Sequence, residues 1–178
     1  AFSDGNNELA EIIQDYYKGD INRVRKDGYP LGHIILSKFG IERLEYLTKR
    51  GLNLEQKDSS NNTVFMEAVK KSNNIQALKC LIENGSDINT NDQGKYTPFY
   101  YTCADNNFCR EKFDLLLANK CDVDIHNNDH AFPISELIKR KLFDEAFILL
   151  NNHHPTINDC ESKNEPIICA LSEHNGPL

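Results

Sequence analysis

Residues 85–99 read GSDINTNDQGKYTPF, and two short patterns inside this stretch return along the whole chain. The first is Asp87-Ile88-Asn89, a branched aliphatic between two polar residues. It recurs as Asp20-Ile21-Asn22, Asn53-Leu54-Glu55, Asp122-Val123-Asp124 and Thr156-Ile157-Asn158, and the central residues lie 33, 34, 35 and 34 apart. The second is Thr97-Pro98-Phe99. In phase with the first, it recurs as Tyr29-Pro30-Leu31, Thr63-Val64-Phe65, Phe132-Pro133-Ile134 and Glu165-Pro166-Ile167. Four of the six prolines fall in this column. Proline at the first turn of a helix lacks only a donor that would be unsatisfied anyway, so each column member marks a helix start.

A third column is apolar at helical spacing: Leu44 with Leu47, Leu78 with Leu81 and Ile82, Phe113 with Leu116 and Leu117, Ala146 with Leu149 and Leu150. The i, i+3, i+4 pattern gives one stripe facing a neighbour. Each unit therefore reads helix, short turn, helix, extended polar loop. Gly40, Asn73-Asn74 and Asn106-Asn107 mark the break between the two helices. The second helix is expected to end near Gly51, Gly85, Lys120 and His154, where Gly, or Asn84 and Asn119 beside it, supplies the left-handed stop. Turns and caps of this kind account for most of the 21 asparagines, an unusually high number for 178 residues.

Repeats of this length resemble the ankyrin family, whose unit of about 33 residues opens on T-P-L-H-x-A. Thr97-Pro98-Phe99 matches that opening best, Ala68 and Ala170 take the alanine place, and Gly85-Ser86-Asp87-Ile88-Asn89 matches the family's G-A-D-V-N ending. The family histidine is missing from every unit: Gly32, Met66, Tyr100, Ser135 and Ile168 stand there. The resemblance implies an all-α solenoid over residues 8–174, in a single domain 1–178. Its units are 8–22 (partial), 23–55, 56–89, 90–124, 125–158 and 159–178 (partial). Glu8 to Lys18 reads as the second helix of a leading unit. The final unit stops after its first helix, which suggests a fragment of a longer protein, since a solenoid needs a polar terminal cap.

A solenoid stacks its units into one core and presents an extended concave surface. The resemblance implies protein binding through loop tips and exposed faces of the first helices. One outward column on those helices is His33, Glu67, Tyr101, Glu136 and Cys169; a second is Ser37, Lys71, Asp105, Arg140 and Glu173. From the loops come Asp58, Asp92, Lys95 and Asp129. Tyrosine is favoured at binding hot spots, which singles out Tyr101 in the run Tyr96 to Tyr101. Acidic loops and helices suggest a basic partner segment. The expected chain is a monomeric, non-catalytic interaction module. Divergent, Asn- and Lys-rich ankyrin chains look like those that intracellular bacteria or large viruses deploy in host cells, which implies a cytoplasmic or host-delivered effector. The alternative is the targeting module of a longer enzyme or a ubiquitin-ligase adaptor.

Composition narrows the remaining chemistry. With 20 basic and 27 acidic side chains the net charge is -7, which argues against a nucleic-acid binder working through a basic surface. No apolar run approaches the ~18 residues of a membrane span. The start, AFSDGNNELAEII, has no basic region before an apolar stretch and so reads as no secretory signal. The cysteines at 80, 103, 109, 121, 160 and 169 contain no CxxC pair and are expected as reduced thiols, those at 80, 103 and 121 in packing positions. His153-His154 with Asp159-Cys160 lacks zinc-site spacing, and His126 with His130 lies in a loop, so no metal or cofactor is expected. No glycine-rich phosphate loop is present.

Overall fold

The computed structural model describes residues 2–153, and among them every regular element is helical. In chain order these are α1 (Phe2–Tyr17), α2 (Leu31–Ile34, continued by a π-helical turn Ile35–Phe39), α3 (Ile41–Thr48), α4 (Val64–Lys71), α5 (Ile75–Glu83), α6 (Pro98–Ala104), α7 (Arg110–Ala118), α8 (Pro133–Lys139) and α9 (Phe143–His153). From α2 onward they pair as expected: α2 with α3, α4 with α5, α6 with α7, α8 with α9. The chain divides into two compact units, Ala1–Gln93 and Gly94–Leu178. The sequence patterns at 156–158 and 165–167, together with Cys160, Ile168, Cys169, Ala170, Glu173 and His154, lie outside the described residues.

In the first unit the like-ranked helices pack on each other, α2 on α4 and α3 on α5. Their shared core is Leu31, Ile35, Leu44, Leu47, Phe65, Met66, Val69, Leu78 and Leu81, all buried. Helix α1 adds Leu9, Ile12 and Tyr17. It begins at Phe2, six residues before the expected start. The Tyr17 hydroxyl donates to the Tyr29 carbonyl at 3.1 Å. Burial pushes that phenol up to about 12, with Arg25 opposing.

In the second unit α6 packs on α8. Phe99 and Phe113 meet at 5.4 Å between ring centres, and Phe108 leans on Phe113 at 5.7 Å. Leu116, Ile134, Leu137, Ala146 and Leu149 complete this core. Truncating a buried phenylalanine such as Phe99 costs about 3–5 kcal/mol, because lost transfer energy and a residual cavity add.

The repeated patterns have physical causes. In Asp20-Ile21-Asn22 the aspartate Oδ1 accepts the amide of the residue two on, at 2.9 Å. Asn53, Asp87 and Asp122 do the same at 2.9, 2.8 and 2.9 Å. The polar–aliphatic–polar motif is thus an Asx turn that leads the chain out of each second helix. Thr63 and Thr97 cap α4 and α6, accepting the amides of Met66 and Tyr100 at 3.4 and 3.1 Å. Asn74 caps α5 through the Ala77 amide at 3.1 Å.

The second helices end on left-handed residues: Gly51 (φ 93°), Gly85 (φ 86°) and, as the expectation for Lys120 requires, that lysine at φ 60°. A second left-handed column sits at the loop tips: Gly28, Asn61, Lys95 and His130, with φ of 78, 66, 59 and 58°.

Successive loops are tied together. Asn22 donates to the Gly51 carbonyl at 2.7 Å and accepts the Asn53 amide at 2.8 Å. Glu55 accepts the Asp87 amide at 3.0 Å, Asn61 donates to the Asn91 carbonyl at 3.0 Å, and Gln93 to that of Ser59 at 2.9 Å. In the second unit the Asn128 amide donates to Gly94 at 2.9 Å.

Candidate binding surface

The first unit carries a groove of about 200 Å³ lined by Leu36, Ser37, Gly40 and Ile41 on one side and Glu67, Ala68, Lys71, Ser72, Asn74 and Ala77 on the other. Its local cause is the π turn. The Gly40 amide reaches back five residues to the Ile35 carbonyl at 2.9 Å, widening the end of the first helix. Gly40 then turns at φ 81° with no heavy atom within 4 Å of where a Cβ would stand. Ala68 and Ala77 keep the opposite wall low. The sequence predicts a plain helix here; instead the π turn fills the connector and leaves Gly40 as the only break.

Three predicted site residues meet at this groove: Ser37, Glu67 and Lys71. Ser37 is exposed, its hydroxyl donating to the Ile34 carbonyl at 3.1 Å. The outward reading of Glu67 is corrected: this side chain is mostly buried, ion-paired one turn on with the largely exposed Lys71. The hydrogen bond to Glu67 pushes the Lys71 ammonium up from its ordinary value. The groove is therefore apolar with a single cation at its lip.

His33 is the larger correction. It is 2% exposed and its Nε2 lies 3.0 Å from the carbonyl of Asn62, in the next loop. A carbonyl can only accept, so Nε2 carries the proton. Nδ1 is then a buried acceptor with no hydrogen-bond partner. Desolvation lowers the imidazole below its ordinary value, against Asp58 and Glu67, which favour the charged form. His33 ties one loop to the helix before it and is not a contact surface.

In the second unit Tyr96, Tyr100 and Tyr101 form a trio, with centroids 5.0 Å (Tyr96–Tyr100), 5.6 Å (Tyr96–Tyr101) and 6.4 Å (Tyr100–Tyr101) apart. These separations are direct ring contacts, so no cation fits between the rings. Tyr96 donates to Asp129 at 3.1 Å and Tyr100 to Glu136 at 3.0 Å. Burial, then the Glu136 charge, push the Tyr100 phenol well up. Lys139 pairs with the same Glu136 oxygen at 2.7 Å. Tyr101 is half-buried on this cluster.

Other predicted residues are committed to structure. Asp105 faces Lys112, whose ammonium lies 3.7 Å away and whose side chain is 1% exposed; burial lowers that lysine. Arg140 reaches back from α8 to α6, donating to the Asn106 side chain at 2.8 Å and to the Ala104 carbonyl, an unsatisfied helix C-terminal acceptor. Asp58 organises its own loop, accepting the amides of Ser60 and Asn62 at 2.9 and 2.8 Å. The outward reading of Asp92 is corrected as well: it is buried, with Lys70 at 3.9 Å. Lys95 and Asp129 are exposed as expected.

The described cysteines are thiols. Burial pushes Cys121 up to about 12 and Cys103 far above its ordinary value, which removes nucleophilic character from both. Among the described residues no group of three or more His, Cys, Asp or Glu is placed to hold a metal ion. None of these helices is long and apolar enough to cross a membrane. No protein-family model matches the chain, and no curated protein is significantly similar to it.

Proposed function

We propose that the helix pairs are diverged ankyrin-type repeats forming a solenoid, and that the chain is a non-catalytic module binding another protein. Support comes from the devices repeated at 33–35 residue spacing: Asx turn, left-handed loop tip, helix cap and loop-to-loop hydrogen bond. The family histidine is absent from its usual place, but His33, one residue later, makes the bond to the following loop that such a residue would supply.

The observation that carries the binding reading is the groove beside the π turn. It is concave, apolar within, and lipped by Ser37 and Lys71. A second contact is the half-buried Tyr101. Residues 94–178 hold 13 carboxylates against 8 cations, which favours a basic segment on the second unit. The reading makes the partner a protein in the same aqueous compartment, cytoplasmic or host-cell cytoplasmic.

The test is affinity capture with the full chain and with a Lys71→Glu, Tyr101→Ala variant, quantified by mass spectrometry, with helical content checked by circular dichroism. The reading requires at least one protein to be enriched on the wild type and lost from the variant while helicity holds. Identical capture by both would remove these two contacts from the account.

A further inference from the structure

A second charged surface lies at the start of the chain and adjoins the groove at Ser37. Among the described residues seven cations are ion-paired: Arg25 with Asp27, Lys49 with Glu45, Lys70 with Asp92, Lys71 with Glu67, Arg110 with Asp114 and Glu145, Lys112 with Asp105, Lys139 with Glu136. The run Lys18-Gly-Asp-Ile-Asn-Arg-Val-Arg-Lys26 concentrates four cations within nine residues. Among the described residues no carboxylate lies within ion-pair distance of Lys18, Arg23, Lys26 or the nearby Lys38, and Lys18, Arg23, Lys26 and Lys38 are all exposed.

These residues border two adjoining clefts. The first, of about 490 Å³, is lined by Asp15, Lys18, Arg23, Val24, Arg25, Lys26 and Asp27. The second, of about 340 Å³, shares Arg25 and Asp27 and adds Ile12, Tyr29, Ile34, Ser37 and Lys38. Arg25 neutralises Asp27 at 2.6 Å, forming the wall between them. Asp20 is occupied with the Asn22 amide. Five cations thus face three carboxylates in a chain whose net charge is -7. Two of the three large hydrophobic side chains exposed among the described residues, Val24 at 44% and Tyr29 at 37%, sit in the same place. The third, Tyr46, lies elsewhere, with the Arg50 guanidinium 3.6 Å from its ring centre.

We propose that these clefts bind a short acidic peptide segment with an apolar residue between its carboxylates. The cations recognise the carboxylates, and Val24 and Tyr29 receive the apolar side chain. The size of the patch selects the class of ligand. Nucleic acid gains affinity by covering many phosphates, each releasing counterions. Four unmatched cations within a strongly acidic protein favour a ligand that ends where the patch ends, since a longer polyanion meets repulsive carboxylates beyond it. The inference does not rest on the reading of the groove and can fail without it.

The probe is a fluorescein-labelled twelve-residue peptide of repeating Glu-Glu-Leu, titrated with the full chain by fluorescence anisotropy in 50 mM salt. The expected result is saturable binding that weakens at least tenfold for Arg23→Glu with Lys26→Glu, and severalfold for Val24→Ser. The control is Lys79→Glu with Lys120→Glu, which changes net charge equally at exposed cations elsewhere and should stay within twofold of wild type. Absence of binding by the wild type overturns the proposal. So does equal weakening by the control pair, which would mean unspecific attraction, or tighter binding of a twelve-residue oligouridylate, which would make the surface a nucleic-acid site.

Discussion

Replacing His33 by Phe keeps a ring in the same buried space and removes one donor. The Asn62 carbonyl then loses its 3.0 Å bond. That carbonyl still accepts the Asp58 amide at 2.9 Å, so it is not orphaned, and the loss is that of one made hydrogen bond, about 0.5–1.5 kcal/mol. Asn62 is 5% exposed, so water does not easily replace the donor, but the substitution also removes the unpartnered Nδ1, and we expect a loss of about 0.5–1 kcal/mol. Equilibrium urea unfolding followed by circular dichroism at 222 nm measures it. The pH dependence adds a sharper condition. The folded pKa of His33 is depressed below 6.5, so its stabilising contribution is full above that value and is lost as pH falls toward the folded pKa. Over that window the unfolded chain gains up to about 1.4 kcal/mol per pH unit that the neutral buried ring does not. The gap between wild type and His33→Phe must therefore shrink between pH 7.5 and 5.5. A cost under about 0.3 kcal/mol at pH 7.5, or a gap that widens on acidification, refutes the assignment of a neutral, loop-tying imidazole.

Three further outcomes follow from the same geometry. Lys120 holds the left-handed position that Gly51 and Gly85 hold in the preceding units, so Lys120→Gly should stabilise by about 0.5–1 kcal/mol in urea titration. Asp87→Ala removes an Asx turn and should cost about 1 kcal/mol, while Asp87→Asn, which keeps the acceptor, should cost a few tenths at most. In peptide-resolved alkylation of the native chain, Cys109, which is partly exposed, should react first among the four described cysteines, and Cys103 only at the rate of unfolding.

What could be read in the sequence was local. Asp87-Ile88-Asn89 acts on its own amide two residues on, and Thr97-Pro98 starts the helix it belongs to, so the 34-residue register and the helix pairs follow from neighbours alone. What could not be read was set by groups far along the chain. His33 occupies a place that looks outward on a helix, yet its ring is buried and donates to the Asn62 carbonyl, 29 residues on. Glu67 and Asp92 read as surface charge but sink because Lys71 and Lys70 neutralise them. Lys112 gave no signal at all: it sits between Glu111 and Phe113 as any solvent-facing lysine would, yet it is buried with Asp105 of the preceding turn 3.7 Å away. The loop-tip column was half legible, since Gly28 and Asn61 are ordinary left-handed residues while Lys95 and His130 are not. The groove depends on a π turn, for which Ile35 to Phe39 carries no sequence mark.

The central claim is that this is a protein-binding repeat module whose first unit engages its partner beside the π turn. Hydrogen–deuterium exchange of the captured complex against the chain alone measures that most directly. The account predicts slower exchange in peptides covering 36–41 and 67–77, with a second protected segment around Tyr101. Protection confined to other segments, with 36–41 and 67–77 exchanging as in the chain alone, would contradict it.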